Sequence, residues 1–354
     1  MIIFRTITLL SLLLSLSNAD INSTTQNEPH YIDETHTTLS KEVLEWSNTI
    51  DTTLSGWLED NETNTTTIEP DISTHTIENN QTRSIDSFFQ SNKYFNETND
   101  AFIRVRIDSE FQSKESSDFH LRLETQLPLR KSKKSFKIFV DDLTLDNVQN
   151  IIKNEEKDHA APDIGVHYFA PETYGIDSRY SVGFGRSYFF VSARYFMSLN
   201  AGEWKIDPTQ LFKYSTKDAF EEETNIYFDK QLTDLSLFRI QFHRKTEDKT
   251  DGMDYAFSLQ YYWSPKKDTG IRLSQSFFGN TEYPYVVDKN TEPPQIKTYG
   301  GINNYATSLS WRQNIWRKWF YYEVRPGVNF HKYHDYEANY TFRFFLDFYF
   351  GEFR

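Results

Sequence analysis

The sequence predicts an all-β protein: a transmembrane antiparallel up-and-down β-barrel of about 12–14 strands, preceded by a mostly disordered N-terminal periplasmic segment. From Ala101 onward, apolar and polar residues alternate with a period of two. The chain contains 30 Phe, 22 Tyr and 7 Trp although its mean hydropathy is only -0.67. A barrel reconciles these two observations, because lipid-facing aromatic residues alternate along each strand with polar residues that face the lumen.

Residues 1–19 have the features of a signal peptide. Arg5 supplies the positive charge, Leu9 to Leu16 form a short apolar core, and Ala19 is a small residue at the expected cleavage position. We therefore expect export, cleavage after Ala19 and residence in the cell outer membrane. An uncleaved anchor helix is the alternative, which the shortness of the apolar run disfavours. The chain has no cysteine, which excludes disulfides, thiolate metal sites and a cysteine nucleophile.

Residues 20–100 form an Asn/Thr-rich segment with two short amphipathic islands. In residues 41–60 the apolar residues lie near helical spacing, with Ser40 as a candidate N-cap. The second island lies in residues 85–99 and contains Phe88 and Phe89. Ile50–Asn64 aligns without a gap with Ile85–Asn99, and both begin with Ile-Asp and end with Asn-Glu-Thr-Asn. The islands are either two copies of a docking motif, for the barrel's periplasmic mouth or for a partner, or a coincidence of composition.

Residues 101–354 are predicted to form the barrel itself. The clearest strands are Phe102–Gln112, Phe119–Leu129, Tyr255–Trp263, Tyr305–Arg312, Trp319–His331 and Tyr340–Phe350. The weakest are Gly165–Ala170 and Trp204–Tyr214. The long connections, around Asp142–Pro162 and Asn280–Ile302, are expected on the outer side, and the second is expected to fold over the mouth. The short connections Ser264–Thr269 and Asn314–Lys318 are expected on the periplasmic side.

One face of the last strand is wholly apolar, which is typical of the strand that barrel-assembly machinery recognises. The candidate assembly signal consists of Phe344, Leu346, Phe348 and Phe350.

The opposite faces of the strands are dense in arginine and acidic residues. The candidate lumen-lining residues are Arg104, Arg106, Arg122, Glu124, Arg194, Arg239, Arg272, Arg312, Glu323, Arg325, Arg343 and Asp347. Two interpretations remain open. Salt-bridged rows would rigidify and partly fill the barrel, whereas a ladder of charges would select anionic or polar solutes.

The sequence offers little for catalysis or cofactor binding. His243, His331 and His334 lie at or near strand ends, and none belongs to a serine-hydrolase motif or to a His–Ser pairing with a third partner. His331, His334 and Asp335 could bind a metal at a loop, but they are interpreted as loop polar groups. We therefore expect no enzyme activity, no cofactor and no metal. The net charge of -13 disfavours nucleic acid as a partner.

The C-terminal third carries a recurring pattern of polar and aromatic residues. It consists of Tyr305, Trp311, Arg312, Asn314, Arg317, Trp319, Tyr322, Glu323 and Pro326, followed by the aromatic strand that closes at Gly351. Together with Ile85-Asp86, Phe88-Phe89 and Arg104-Val105-Arg106, this pattern resembles a widespread, uncharacterised family of proteobacterial outer-membrane β-barrel proteins. The resemblance implies the fold and the location, and no activity.

Three functions follow as hypotheses. The first is a narrow, porin-like channel or solute-uptake protein. The second is a closed structural barrel that recruits a periplasmic partner through residues 41–60 and 85–99. The third is an enzyme that modifies outer-membrane lipid. For each of the three functions we expect the same partners, which are outer-membrane lipid and the barrel-assembly machinery.

Overall fold

The computed structural model describes residues 31–59, 88–89, 101–129, 136–141, 163–185, 187–266, 268–288 and 295–351. The predicted signal peptide and most of the Asn/Thr-rich segment lie outside these residues. The elements are α1 (Tyr31–Glu59), β1 (Phe102–Gln112), β2 (Asp118–Leu129), β3 (Phe136–Asp141), β4 (Asp163–Thr173), β5 (Ile176–Phe184), β6 (Phe189–Phe196), β7 (Leu199–Ala201), β8 (Trp204–Ser215), β9 (Ala219–Thr233), β10 (Ser236–Glu247), β11 (Thr250–Lys266), β12 (Thr269–Asp288), β13 (Gln295–Asn314), β14 (Phe320–His331), the short 3-10 helix η1 (Lys332–His334) and β15 (Ala338–Gly351).

The strands form one antiparallel sheet that closes on itself. Strands that are neighbours in sequence pair with each other, except β6 and β7, and two further pairings complete the ring: β1 with β15, and β6 with β8. Closure gives every strand except the short β7 a hydrogen-bonding partner on both sides, which is the condition for a sheet to lie in lipid. The predicted up-and-down barrel is therefore confirmed.

The short strand β7 continues β6. Phe196 pairs with Thr209 and Leu199 pairs with Ile206, so both strands follow one register along β8. The interruption lies opposite Pro208, whose carbonyl accepts a hydrogen bond from the Met197 backbone N–H. Proline has no N–H to return, so the ladder breaks there. With β6 and β7 taken as one interrupted strand, the barrel has 14 strands, within the predicted number.

Apolar residues cover the outer face of the barrel and polar residues its inner face. Phe119, Leu121 and Leu123 on β2 are exposed, whereas the intervening Arg122 is buried. A ladder of outward-facing rings crosses four strands through Phe242, Phe257, Phe277 and Tyr305, with centroids 5.0, 6.0 and 5.8 Å apart. Buried charge and exposed apolar surface invert the arrangement of a water-soluble protein and suit a barrel surrounded by lipid.

The two ends of the barrel differ in their connections. We call the end where β1 begins and β15 finishes the terminal end, and the opposite end the loop end. Tight turns join β11 to β12 and β13 to β14 at the terminal end. The connection 142–162 is at the loop end and lies outside the described residues. At these three connections, the short ones lie at the terminal end and the long one at the loop end, as the sequence predicted.

The expectation of a long loop over Asn280–Ile302 is wrong. Strand β12 continues to Asp288 and β13 begins at Gln295, so most of this span is a β-hairpin. Its aromatic and β-branched residues favour extended backbone, and register irregularities accommodate Pro284 opposite Thr298. The two weakest strand predictions are confirmed, since Gly165–Ala170 lies in β4 and Trp204–Tyr214 lies in β8.

The first amphipathic island is helical, as predicted, but the helix begins earlier. Helix α1 starts at Tyr31, so Ser40 lies in its interior and is not its N-cap. Asp33 and Glu34 occupy the first turn, where carboxylates stabilise a helix, and the hydroxyls of Thr35 and Thr37 donate to carbonyls one turn back. No helix among the described residues is long and apolar enough to cross a membrane.

The later part of this helix belongs to the same compact unit as the barrel, which runs from residue 39 to residue 354. Along it Val43, Ser47 and Asp51 are buried at a spacing of four, which defines one buried stripe.

Placing a charge on the outer face tests the orientation of the strands. Replacing Leu123, halfway along β2, with Arg should lower the free energy of unfolding in lipid vesicles by about 2–4 kcal/mol, because the guanidinium would enter hydrocarbon. Ser117→Arg, in the exposed β1–β2 connection, is the control and should change it little. Equal effects at the two positions would contradict an outward-facing Leu123.

Candidate functional site: the charged interior of the barrel

Strand register places every predicted lumen-lining residue on the inward face. Ten of them lie on β1, β2 and β12–β15, which form one continuous part of the wall that we call the ion-pair wall. The other two, Arg239 on β10 and Arg194 on β6, lie elsewhere on the sheet. That these residues line a permeation path stays a prediction.

Asp347 is the centre of the ion-pair wall. It lies opposite Arg106 in the β1–β15 register and accepts hydrogen bonds from Arg106 Nε at 2.6 Å and Nη2 at 3.0 Å. Arg312 on β13 approaches its other side, with Nη1 2.6 Å from Asp347 Oδ2. All three side chains are buried. A buried carboxylate held by two guanidiniums is a charge whose desolvation is offset by paired, hydrogen-bonded partners.

Glu323 on β14 extends this cluster along the wall. It accepts a hydrogen bond from Arg325 Nη2 at 2.7 Å, and it lies 3.5 Å from Arg312 and 3.7 Å from Arg272. Arg312 therefore lies between two carboxylates, Asp347 and Glu323. Three strands, β13 to β15, are thereby joined by charge as well as by their backbone ladders.

A second cluster lies nearer the loop end. Asp108 accepts hydrogen bonds from Arg122 at 2.9 Å and from Arg343 at 3.1 Å, and Arg343 also lies 3.5 Å from Glu110. Nearer the terminal end, Arg104 pairs with Glu124 across β1 and β2. The ion pairs join β15, β1 and β2, the strands at the closure of the sheet.

Phe345 is an inward-facing aromatic residue that the sequence did not single out. It is fully buried, and three guanidinium carbons lie near its ring centroid: Arg325 at 4.7 Å, Arg106 at 5.1 Å and Arg343 at 5.2 Å. An aromatic ring attracts cations and separates like charges that would otherwise repel. Phe345 alternates in phase with Arg343 and Asp347 along the last strand, and this pattern could have predicted that it faces inward.

Arg239 forms a separate ion pair on the neighbouring wall. It donates to both oxygens of Asp229, at 2.6 and 2.7 Å, and its guanidinium lies between the rings of Tyr227 and Tyr262. This bidentate pair between β9 and β10 is buried and fixes the arginine in one orientation.

Arg194 is in different surroundings from the other candidates. It lies directly opposite Arg179 in the β5–β6 register, and Lys137 and His167 face the same interior from β3 and β4. Within the described part of the chain, no carboxylate pairs with Arg194. Like charges placed opposite each other destabilise a sheet. We call Lys137, Arg179 and Arg194 the cationic wall.

The interior also contains a His–Ser pair that the sequence did not single out. His167 Nδ1 and Ser181 Oγ lie 2.7 Å apart on adjacent strands, and the His167 ring stacks on Phe139. Sequence reasoning missed this pair because 14 residues separate its members. Among the described residues no carboxylate orients the ring, so the third member of a catalytic triad is lacking.

The histidines near the loop end take part in local contacts. His331 Nδ1 accepts the backbone N–H of Tyr333, and His334 Nε2 lies 3.2 Å from Glu115. Nearby, Lys114 donates a hydrogen bond to Glu337, which lowers the pKa of that carboxyl below its usual value. No group of three or more potential metal ligands is found within the described residues.

Two residues of the second island contact the inner wall at the terminal end. Phe89 is buried against Leu237 and Tyr262, and the Phe88 carbonyl accepts a hydrogen bond from Arg312 Nε at 2.8 Å. The remaining residues of this island lie outside the described part of the chain.

Comparison with known proteins gives similarity to solved structures alone. No protein-family model matches the chain, and no curated protein matches it. The chain is similar to a loop-deletion mutant of OmpT, an outer membrane protein of Vibrio cholerae, with a TM-score of 0.42 and 8% identity over 71% of this chain and 98% of that one. Pseudomonas aeruginosa OccK5 gives a TM-score of 0.41 and 8% identity over 71% and 97% of the two chains. The KdgM porin in complex with disordered oligogalacturonate gives 0.34 and 9% over 71% and 99%. The resemblance to the proteobacterial family stays a prediction.

Removing the central carboxylate tests the ion-pair wall. Asp347→Asn should lower the free energy of unfolding by about 3–5 kcal/mol, because Arg106 and Arg312 would lose their shared buried counterion. Denaturant unfolding in lipid vesicles measures the change. In a double-mutant cycle, Arg106→Gln should add much less to the Asp347→Asn variant than it costs alone. The control, Glu337→Gln, breaks an exposed pair and should have little effect. Additive losses from the two buried positions would contradict the arrangement.

Proposed function

We propose that the protein is an outer-membrane channel through which small polar or anionic solutes pass. The observation that carries the proposal is the closed 14-stranded barrel with an apolar outer face and a charged inner face. Charged groups facing the interior of such a barrel set which solutes enter it. Because, among the described residues, the charges of the ion-pair wall are matched and the charge of Arg194 in the cationic wall is not, we assign the two walls different roles.

The ion-pair wall has a structural role in this proposal. Its arginines are buried or half-buried and are matched by Asp108, Glu124, Glu323 and Asp347, so they present little uncompensated charge to a passing solute. They hold the closing strands together and narrow the lumen on that side. This corresponds to the interpretation of the charged rows as rigidifying salt bridges.

The cationic wall has the selective role. Arg194 faces the interior opposite Arg179 and has no described carboxylate partner, so its charge is available to an anion. A positive potential around Arg194 would raise the local concentration of anionic solutes and disfavour cations. The same geometry costs stability through like-charge repulsion, which a functional role would explain.

The cellular setting follows from the same proposal. Residues 1–19 would direct export with cleavage after Ala19, residues 20–100 would lie in the periplasm, and residues 101–354 would form the barrel in the outer membrane. The outward-facing Phe344, Leu346, Phe348 and Phe350 of β15 would be recognised by the barrel-assembly machinery. The loop end of the barrel would then face the exterior.

A closed interaction barrel is the second candidate. The burial of Asp347, Arg312 and Phe345 favours it, because these inward-facing side chains are covered rather than exposed to an open lumen. In that case residues 41–60 and 85–99 would recruit a periplasmic partner, and the barrel would conduct nothing even after the N-terminal segment is removed.

Ion selectivity of the purified barrel tests the channel proposal. Arg194→Gln should shift the reversal potential in a salt gradient toward cations, because it removes an interior positive charge. Arg244→Gln is a matched control, since Arg244 pairs with Glu222 on the outward face of β10. The control should leave the reversal potential unchanged. If Arg194→Gln conducts with the same reversal potential as the unmodified protein, the selective role assigned to the cationic wall is contradicted.

A further inference from the structure

The inner wall at the terminal end contains a recess shaped for two adjacent aromatic side chains. Leu237 and Tyr262 lie opposite each other in the β10–β11 register, and Gly270 and Arg312 lie opposite each other in the β12–β13 register. Tyr321 on β14 completes the set. These five residues, which we call the aromatic seat, come from five consecutive strands and all lie close to the turns of the terminal end.

Phe89 fills the apolar half of the seat. Its ring meets the Tyr262 ring edge-on at 5.2 Å, and Phe89, Leu237 and Tyr262 bury one another. Leucine on the inward face of a water-filled barrel would be exposed to solvent. The burial of Leu237, which is 1% exposed, therefore marks a site that is built to be covered.

Phe88 occupies the half of the seat beside Arg312. Its ring meets the Tyr321 ring edge-on at 5.9 Å, and its backbone carbonyl accepts the hydrogen bond from Arg312 Nε. Arg312 is held by Asp347, Glu323 and the Tyr349 hydroxyl. The donor that recognises the Phe88 main chain is therefore oriented in advance by the ion-pair wall.

Gly270 makes room for both rings. A Cβ at this position would lie 2.6 Å from Phe88 Cε1 and 2.7 Å from Phe89 Cζ, closer than carbon atoms approach. The requirement is for space, since the contacts are to side chains of the aromatic pair. The seat thus contacts two successive aromatic rings and accommodates one main-chain carbonyl, a combination that fits a Phe-Phe dipeptide.

We infer that the aromatic seat is a peptide-docking site whose ligand is the chain's own Phe88-Phe89, and that its occupancy restricts conduction at the terminal end of the barrel. The docking stands on the contacts above by itself. Its effect on conduction rests on the proposed channel function. Release of the pair from the seat would expose Leu237 and Tyr262 and widen the lumen beside Arg312.

Cross-linking tests the docking without reference to conduction. The chain has no cysteine, so the full-length double variant Gln90→Cys/Gln260→Cys carries a single thiol pair and leaves Phe88, Phe89 and the aromatic seat unchanged. A short bifunctional thiol reagent should join the pair in the folded barrel, seen as a mobility shift of the denatured chain. The control pair, Gln90→Cys/Thr341→Cys, places the second thiol on the inward face of β15 toward the loop end and should remain unlinked. Failure of the first pair to link in a folded barrel, or equal linking of both, would overturn the docking.

Blocking the seat tests the effect on conduction. Gly270→Val should abolish the cross-link and raise single-channel conductance above that of the unmodified protein. Ser274→Val, on the inward face of the same strand, is the control and should preserve the cross-link and the wild-type conductance. Loss of the cross-link with unchanged conductance would overturn the restriction. A normal cross-link in a barrel where every variant is silent would support the docking and refute the channel itself.

Discussion

The ion pair between Arg106 and Asp347 is the interaction on which the arrangement of the barrel depends. These residues lie 241 positions apart in the chain, on the first and last strands, and they meet across the pairing that closes the sheet. An open sheet would expose the unpaired backbone of β1 and β15 to lipid, where unsatisfied groups are costly. The buried ion pair adds an electrostatic attraction to the backbone hydrogen bonds between β1 and β15. It can form only in the register that places Arg106 opposite Asp347.

Register explains why a charged interior also specifies the fold. A slip of β15 by one residue against β1 would turn Asp347 toward lipid and the outward-facing Leu346 inward. Such a slip would lose the buried ion pairs and place charge in hydrocarbon. The ion-pair wall thus penalises alternative pairings of the closing strands. Through Arg312 it also orients the donor that recognises the Phe88 carbonyl.

Local sequence patterns predicted the strands because alternation is a property of consecutive residues. The aromatic face of Tyr340–Phe350 and the alternation in Phe102–Gln112 require no knowledge of other strands. The same reasoning misjudged Asn280–Ile302, where proline and glycine obscured a hairpin that tertiary pairing stabilises. It also placed the start of the first helix too late, because the threonines before Ser40 bond to the helix backbone.

The sequence could not predict which inward-facing side chains contact one another. The pattern identified arginines on the inward face, but the partner of each depends on strand neighbours and register across the closed sheet. Asp108 shared by Arg122 and Arg343 is one such case, and the position of Phe345 among three guanidiniums is another. The aromatic seat required still more, since it combines Gly270 with residues of four other strands and with Phe88 and Phe89.

Single-channel recording of the refolded, full-length barrel in a planar bilayer tests the central claim most directly. The account predicts discrete and reproducible conductance steps, larger when residues 20–95 are deleted. Silence from a barrel shown to be folded, with and without those residues, would contradict a channel and favour a closed barrel that acts through a partner.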